Sequence, residues 1–172
     1  MNKLNIKILL VLILVSIFSC NSNVGNENVS MDNVDQAALE SEVKDVIATT
    51  LNFFQTGSIE DAKAVFSDDA VLIGTDEAEY LTGWEEIEPS IIAQLAVIKD
   101  AKFDSRNLKV TISSSGDMAA YTSIIDFSFT AGGEAASIEN VRYSGVIKKI
   151  DGAWKTTHVH WSIGLAGQAV EY

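Results

Sequence analysis

Cysteine and proline occur once each in this chain, histidine twice, and 12 basic side chains stand against 24 acidic ones. A single cysteine, Cys20, excludes an intramolecular disulfide. A formal net charge of −12 repels polyanions, so nucleic acid is not expected as a partner, and no basic stripe is present to neutralise phosphates. The same charge rules out attachment to anionic lipid through a basic face. No GxSxG, P-loop, GxGxxG or HExxH motif occurs, which disfavours covalent hydrolysis and nucleotide chemistry. Two histidines are too few for a three-ligand zinc site without a carboxylate that no spacing selects. No metal and no other cofactor is expected.

What is present begins at the N-terminus. Lys3 and Lys7 precede an apolar run from Ile8 to Phe18, shorter than the roughly twenty residues of a membrane span but suited to a secretory signal. Ile17-Phe18-Ser19-Cys20 resembles a bacterial lipoprotein box, in which the cysteine is acylated and becomes the mature N-terminus. The expected organisation is a signal peptide over 1–19, a flexible Asn/Ser-rich tether over 20–33 starting at lipidated Cys20, one domain over 34–165, and a tail over 166–172. The expected location is the cell envelope, membrane-anchored on the periplasmic or outer-membrane side.

Within the domain, Leu39, Val43, Ile47, Leu51 and Phe54 recur at helical spacing, predicting a helix over about 34–55 closed by Gly57. Ser58, three residues before Asp61, opens a short helix that turns Ala62, Val65 and Phe66 inward. A strand over 70–74 and another near 80–82 follow. A third helix carries Ile87, Ile91, Leu95 and Ile98, with Pro89 placing its start near Glu88. The remainder alternates as strands: Leu108 to Ile112, Tyr121 to Phe129, Val141 to Ile147, and Trp154 to Ile163, divided by turns at Ser115-Gly116-Asp117, Gly132-Gly133 and Asp151-Gly152. Helices first and an antiparallel meander after is an α+β layout, and strands this long must bend.

The pieces Gly57-Ser58-Ile59-Glu60-Asp61-Ala62, Phe66 to Asp76, Glu79-Tyr80, Gly83, and Trp154-Lys155 with His158, His160, Trp161 and Ser162 resemble the SnoaL-like branch of the NTF2-like superfamily. The resemblance implies a cone-shaped fold, N-terminal helices packed on a strongly curved antiparallel sheet, with a pocket between them. It also implies that Trp154, His158 and His160 point inward and that the Asp76–Glu79 loop borders the pocket. Family members include cyclases, isomerases, dehydratases and non-enzymatic binders, so fold alone does not transfer activity.

Parity along the last strand puts His158 and His160 on one face with Trp154, and Val159, Trp161 and Ile163 on the other. His160 is the leading candidate for an acid/base group, with His158 as a ligand contact. Glu139 shares parity with Val141 and Tyr143 and is expected on the packed face as a general base. Glu79 is a third catalytic candidate at the pocket rim, and Asp76 suits either a rim contact or a turn residue bonded to its own backbone. Tyr80, Trp84 and Tyr143 are expected to line the pocket. Asp126 is expected to face solvent, and Asp104 and Arg106 to pair at the sheet rim.

Three functions remain open on the sequence. The preferred one is a lipid-anchored module that binds a small, partly apolar molecule and dimerises through Val159, Trp161 and Ile163. The second is a cofactor-independent isomerase, dehydratase or cyclase using His160 with Glu139 or Glu79. The third is a structural dimeric envelope lipoprotein.

Overall fold

A computed structural model describes residues 35–164. The expected signal peptide (1–19), the tether (20–33) with Cys20, and the tail (166–172) lie outside the described residues. No helix among the described residues is long and apolar enough to cross a membrane.

Helix α1 spans Gln36–Thr56 and α2 spans Ile59–Val65, as the apolar spacing predicts. Asp35 caps α1 by accepting the Ala38 N–H, and Gly57 ends it at φ 70°, returning its N–H to the Phe53 carbonyl. Ser58 caps α2 through the Asp61 N–H at 3.0 Å. Strands β1 (Phe66–Ile73) and β2 (Tyr80–Thr82) form a hairpin that leads into α3, Trp84–Val97.

Helix α3 starts earlier than its proline suggests. Pro89 lies inside the helix, whose first turn is closed by the Glu86 and Ile87 N–H groups donating to the Gly83 carbonyl at 3.2 Å, while the Glu86 carboxylate accepts the Thr82 N–H at 2.7 Å where the chain enters the helix. Ile98 is the residue that caps α3 rather than part of its buried stripe, and it opens β3, Ile98–Ile112.

Strands β4 (Met118–Ala131), β5 (Glu134–Ile150) and β6 (Ala153–Ser162) complete a six-stranded sheet in the order β2-β1-β6-β5-β4-β3. The meander is antiparallel as expected, but β1 runs parallel to β6, so the sheet is mixed. Parallel pairing arises here because the partners are joined by most of the domain and not by a hairpin.

Bulges interrupt the long strands. Between Ile125–Val141 and Phe127–Ile138 the single residue Asp126 faces both Glu139 and Asn140 of β5, with Asn140 at φ 58°. Between Val146–His158 and Ile147–Thr156 the extra residue is Thr157 of β6. A third interruption in β3, between Arg106 and Lys109, contains Asn107 at φ 57°. Each extra residue bends its strand and reverses which side chains face the helices. The core lies between α1, α3 and the sheet, with Val43, Ile47, Ile87, Ile125, Ile147 and Val159 all at most 3% exposed.

Candidate functional site

A cavity of about 270 Å³ opens between the helices and the sheet. Its wall is aromatic because alternation along β4 turns Phe127 and Phe129 inward beside Phe103 of β3 and Phe54 of α1. Phe103 and Phe127 stack at 4.5 Å with planes 1° apart, and Phe127 and Phe129 lie 4.6 Å apart. Trp161 closes the wall, 6.2 Å from Phe103.

Among the described residues, one carboxylate lines this cavity, that of Glu79 in the turn between β1 and β2. Its Oε2 accepts the backbone N–H of Thr75 at 2.9 Å and of Asp76 at 3.1 Å. Its Oε1 accepts from Gln94 Nε2 of α3 at 3.2 Å, and the same Gln94 nitrogen donates to Ser90 Oγ at 3.2 Å. Gly74 makes the arrangement possible, since a Cβ there would meet Glu79 Oε2 at 2.0 Å and its Cβ at 2.6 Å. With three donors already accepted, about one of the four lone-pair positions of the carboxylate is left for a ligand. Gln94, both of whose amide protons are engaged, presents its carbonyl oxygen as a further acceptor.

Of the residues expected at the site, the structure brings Glu79 to the cavity. Asp76 is instead a turn residue, its Oδ1 accepting the Ala78 N–H at 2.9 Å. Tyr80 is 66% exposed. Trp84 is buried in the core beside Phe66, with the Lys63 ammonium 4.9 Å from its ring, and it does not line the cavity. Tyr143 sits behind the cavity wall, 4.3 Å from the Trp161 ring and 5.1 Å from Tyr121. The hydroxyls of Tyr121 and Tyr143 are buried without a hydrogen-bond partner among the described residues. Burial pushes both phenols above their ordinary range.

Three expected placements are corrected. The extra Thr157 reverses alternation along β6, so Trp154, Thr156, Val159 and Trp161 share the inner side while His158 and His160 pair beside Val71 and Ile73 on the outer side. The imidazole of His160 therefore does not line the cavity. The same reversal removes the expected dimer patch, because Val159 is fully buried and Trp161 lines the cavity, leaving only Ile163 exposed. In β5 the bulge at Glu139-Asn140 gives the inward position to Ile138 and leaves Glu139 exposed on the outer side.

Around that bulge Arg106 pairs with Asp126 at 3.0 Å, not with Asp104, and donates to Asn140 Oδ1 at 2.7 Å. The Asn140 N–H, and after it the Arg106 guanidinium, holds the Asp126 carboxyl below its usual range. The cluster fastens the bulge on the face away from the cavity.

Sequence reasoning missed Gln94, although it sits three residues after Ile91 on the apolar stripe of α3, where a polar side chain signals a buried partner. Nothing in the sequence around Thr157 marks the bulge that brings Trp161 inward.

Fold and cavity together define an α+β domain whose helices and sheet enclose an aromatic chamber with a polar rim. A family profile for the SnoaL-like domain matches residues 43–166, and the chain belongs to this family, within the NTF2-like fold. An NTF2-like superfamily protein from Salmonella enterica serovar Typhimurium is 18% identical, covering 79% of this chain and 99% of its own, with a TM-score of 0.68. A candidate calcium/calmodulin dependent protein kinase II association domain from Xanthomonas campestris is 24% identical over 73% and 87%, with a TM-score of 0.64. A candidate scytalone dehydratase from Novosphingobium aromaticivorans is 13% identical over 75% and 86%, with a TM-score of 0.67. At these identities the likeness is one of fold. No curated protein matches the sequence.

Proposed function

We propose that this SnoaL-like domain is a binding module that holds a small, partly apolar molecule in its aromatic cavity and is displayed on the cell envelope by an acyl anchor on Cys20. The observation that carries the binding reading is the cavity itself: seven aromatic side chains line it, and its polar groups are few and concentrated at Glu79 and Gln94. Small-molecule sites have this composition, and a volume of about 270 Å³ is just under their range of roughly 300–1,000 Å³, so the ligand is small. Acid/base catalysis by His160 with Glu139 is not part of this reading, since neither side chain reaches the cavity.

The test is ligand retention. The full chain, purified gently, is expected to carry a small molecule detectable by mass spectrometry. Ile138→Trp, which fills the chamber from β5, is expected to lose that molecule while keeping the circular dichroism of the parent. Equal retention by the variant would place the molecule elsewhere and refute the reading. For the anchor, Cys20→Ser is expected to move the protein from the membrane fraction to the soluble one; a variant that stays with membranes would refute the lipid attachment.

A further inference from the structure

We propose that the molecule held in this cavity is a cation, an ammonium group carried on a small aromatic or otherwise apolar body. The inference rests on the binding reading above and adds the charge of the ligand to it.

The polar groups of the cavity are almost all acceptors. Glu79 has one lone-pair position left, and Gln94 has given both amide protons to Glu79 and Ser90. Thr50 has given its hydroxyl proton to the Val46 carbonyl at 2.8 Å. The donors that remain are the rim hydroxyl of Thr75 and the indole N–H of Trp161, both neutral. No Lys, Arg or His lines the cavity, and Glu79 enters no ion pair among the described residues. Among the described residues, the carboxylate at the cavity therefore has no cationic partner.

Glu79 is half-buried at the rim and already accepts three hydrogen bonds, so what it offers a ligand is one open acceptor position on a carboxylate. An ammonium group supplies three protons and no acceptors, which complements the free positions of Glu79 and Gln94 through charge-assisted hydrogen bonds. The faces of the surrounding rings carry negative quadrupole density and add to the attraction. A carboxylate ligand meets the opposite situation, facing Glu79 with only two neutral donors available. The formal charge of −12 on the whole chain works in the same direction by raising the local concentration of cations.

The test titrates the full chain with phenethylamine, its neutral counterpart 2-phenylethanol, and phenylacetate, by calorimetry at fixed ionic strength. The amine is expected to bind about tenfold or more tighter than the alcohol, with the acid weakest. Glu79→Gln is expected to abolish the preference for the amine while the alcohol binds as before. Glu77→Gln, which removes an exposed charge from the same turn, is expected to leave that preference intact, separating the cavity carboxylate from the general field. Because Glu79→Gln also weakens the turn, Gln94→Lys serves as the second variant: it sets a built-in ammonium against Glu79 and should abolish the preference by another route. If the alcohol binds as tightly as the amine, or if the amine preference survives both variants, the inference falls while the binding reading stands. If none of the three binds and Ile138→Trp behaves like the parent, both fall.

Discussion

Truncating Phe53 to alanine is expected to lower the stability of the domain by about 3–5 kcal/mol and to widen the cavity at the same time. Phe53 is 2% exposed near the end of α1, with its ring 4.5 Å from Phe54 and 6.5 Å from Phe66, so the helix cannot collapse onto the vacated space without disturbing both neighbours. A loss of this size is a large share of the roughly 5–15 kcal/mol that holds a typical domain together. Urea denaturation measures it as a lower midpoint at unchanged slope. Because Phe53 also lines the cavity, the surviving folded variant should accept a bulkier ligand than the parent. A midpoint within experimental scatter of the parent would contradict the packing described for α1.

The second large effect is expected at Gly145, where alanine should cost about 3 kcal/mol. Gly145 lies in β5 between Tyr121 of β4 and Val159 of β6. A Cβ at this position would meet the His158 carbonyl oxygen at 2.4 Å and the Tyr121 hydroxyl at 2.6 Å. The first of these is backbone held in the sheet ladder, so relief requires the strand to move. The gain from a less flexible unfolded chain, at most about 1 kcal/mol, opposes the clash without matching it. The same denaturation experiment reads the outcome, and a neutral or stabilising Gly145→Ala would show that β5 and β6 approach less closely than described.

Much of this architecture is legible in the sequence because its signals are local. Helical spacing marks α1, the Ser58 and Gly57 signals fix the junction between α1 and α2, and paired turn residues separate the strands. Pro89 misleads about where α3 begins because the turn before it is held by the Glu86 and Ile87 N–H groups on the Gly83 carbonyl and by the Thr82 N–H on the Glu86 carboxylate, bonds that the proline does not interrupt. For the two histidines and Glu139 one physical reason explains why their sides were not legible. Strand parity is a long-range inference that a single inserted residue reverses, and of the three candidate catalytic residues His160 lies just after such an insertion and Glu139 within one. In β5 the insertion carries a mark, since Asn140 tolerates the left-handed backbone conformation the bulge requires. In β6 it carries none: Thr156-Thr157 reads as ordinary strand, and so His160 and Trp161 exchange sides without warning. Glu79 lies at the cavity, where the family resemblance puts the Asp76–Glu79 loop, and its carboxylate is held there by its own turn neighbours, independently of any register.

The placement of Trp161 and Glu79 inside, with His158 and His160 outside, is the claim on which the functional reading depends. Nuclear magnetic resonance titration of the isotope-labelled chain with the co-purified molecule, or with phenethylamine, tests it most directly. The Trp161 indole resonance and the Thr75 and Asp76 amides that bond to Glu79 are expected to shift on binding, while the His158 and His160 ring resonances stay in place. Ring shifts at the two histidines with Trp161 unmoved would contradict the account.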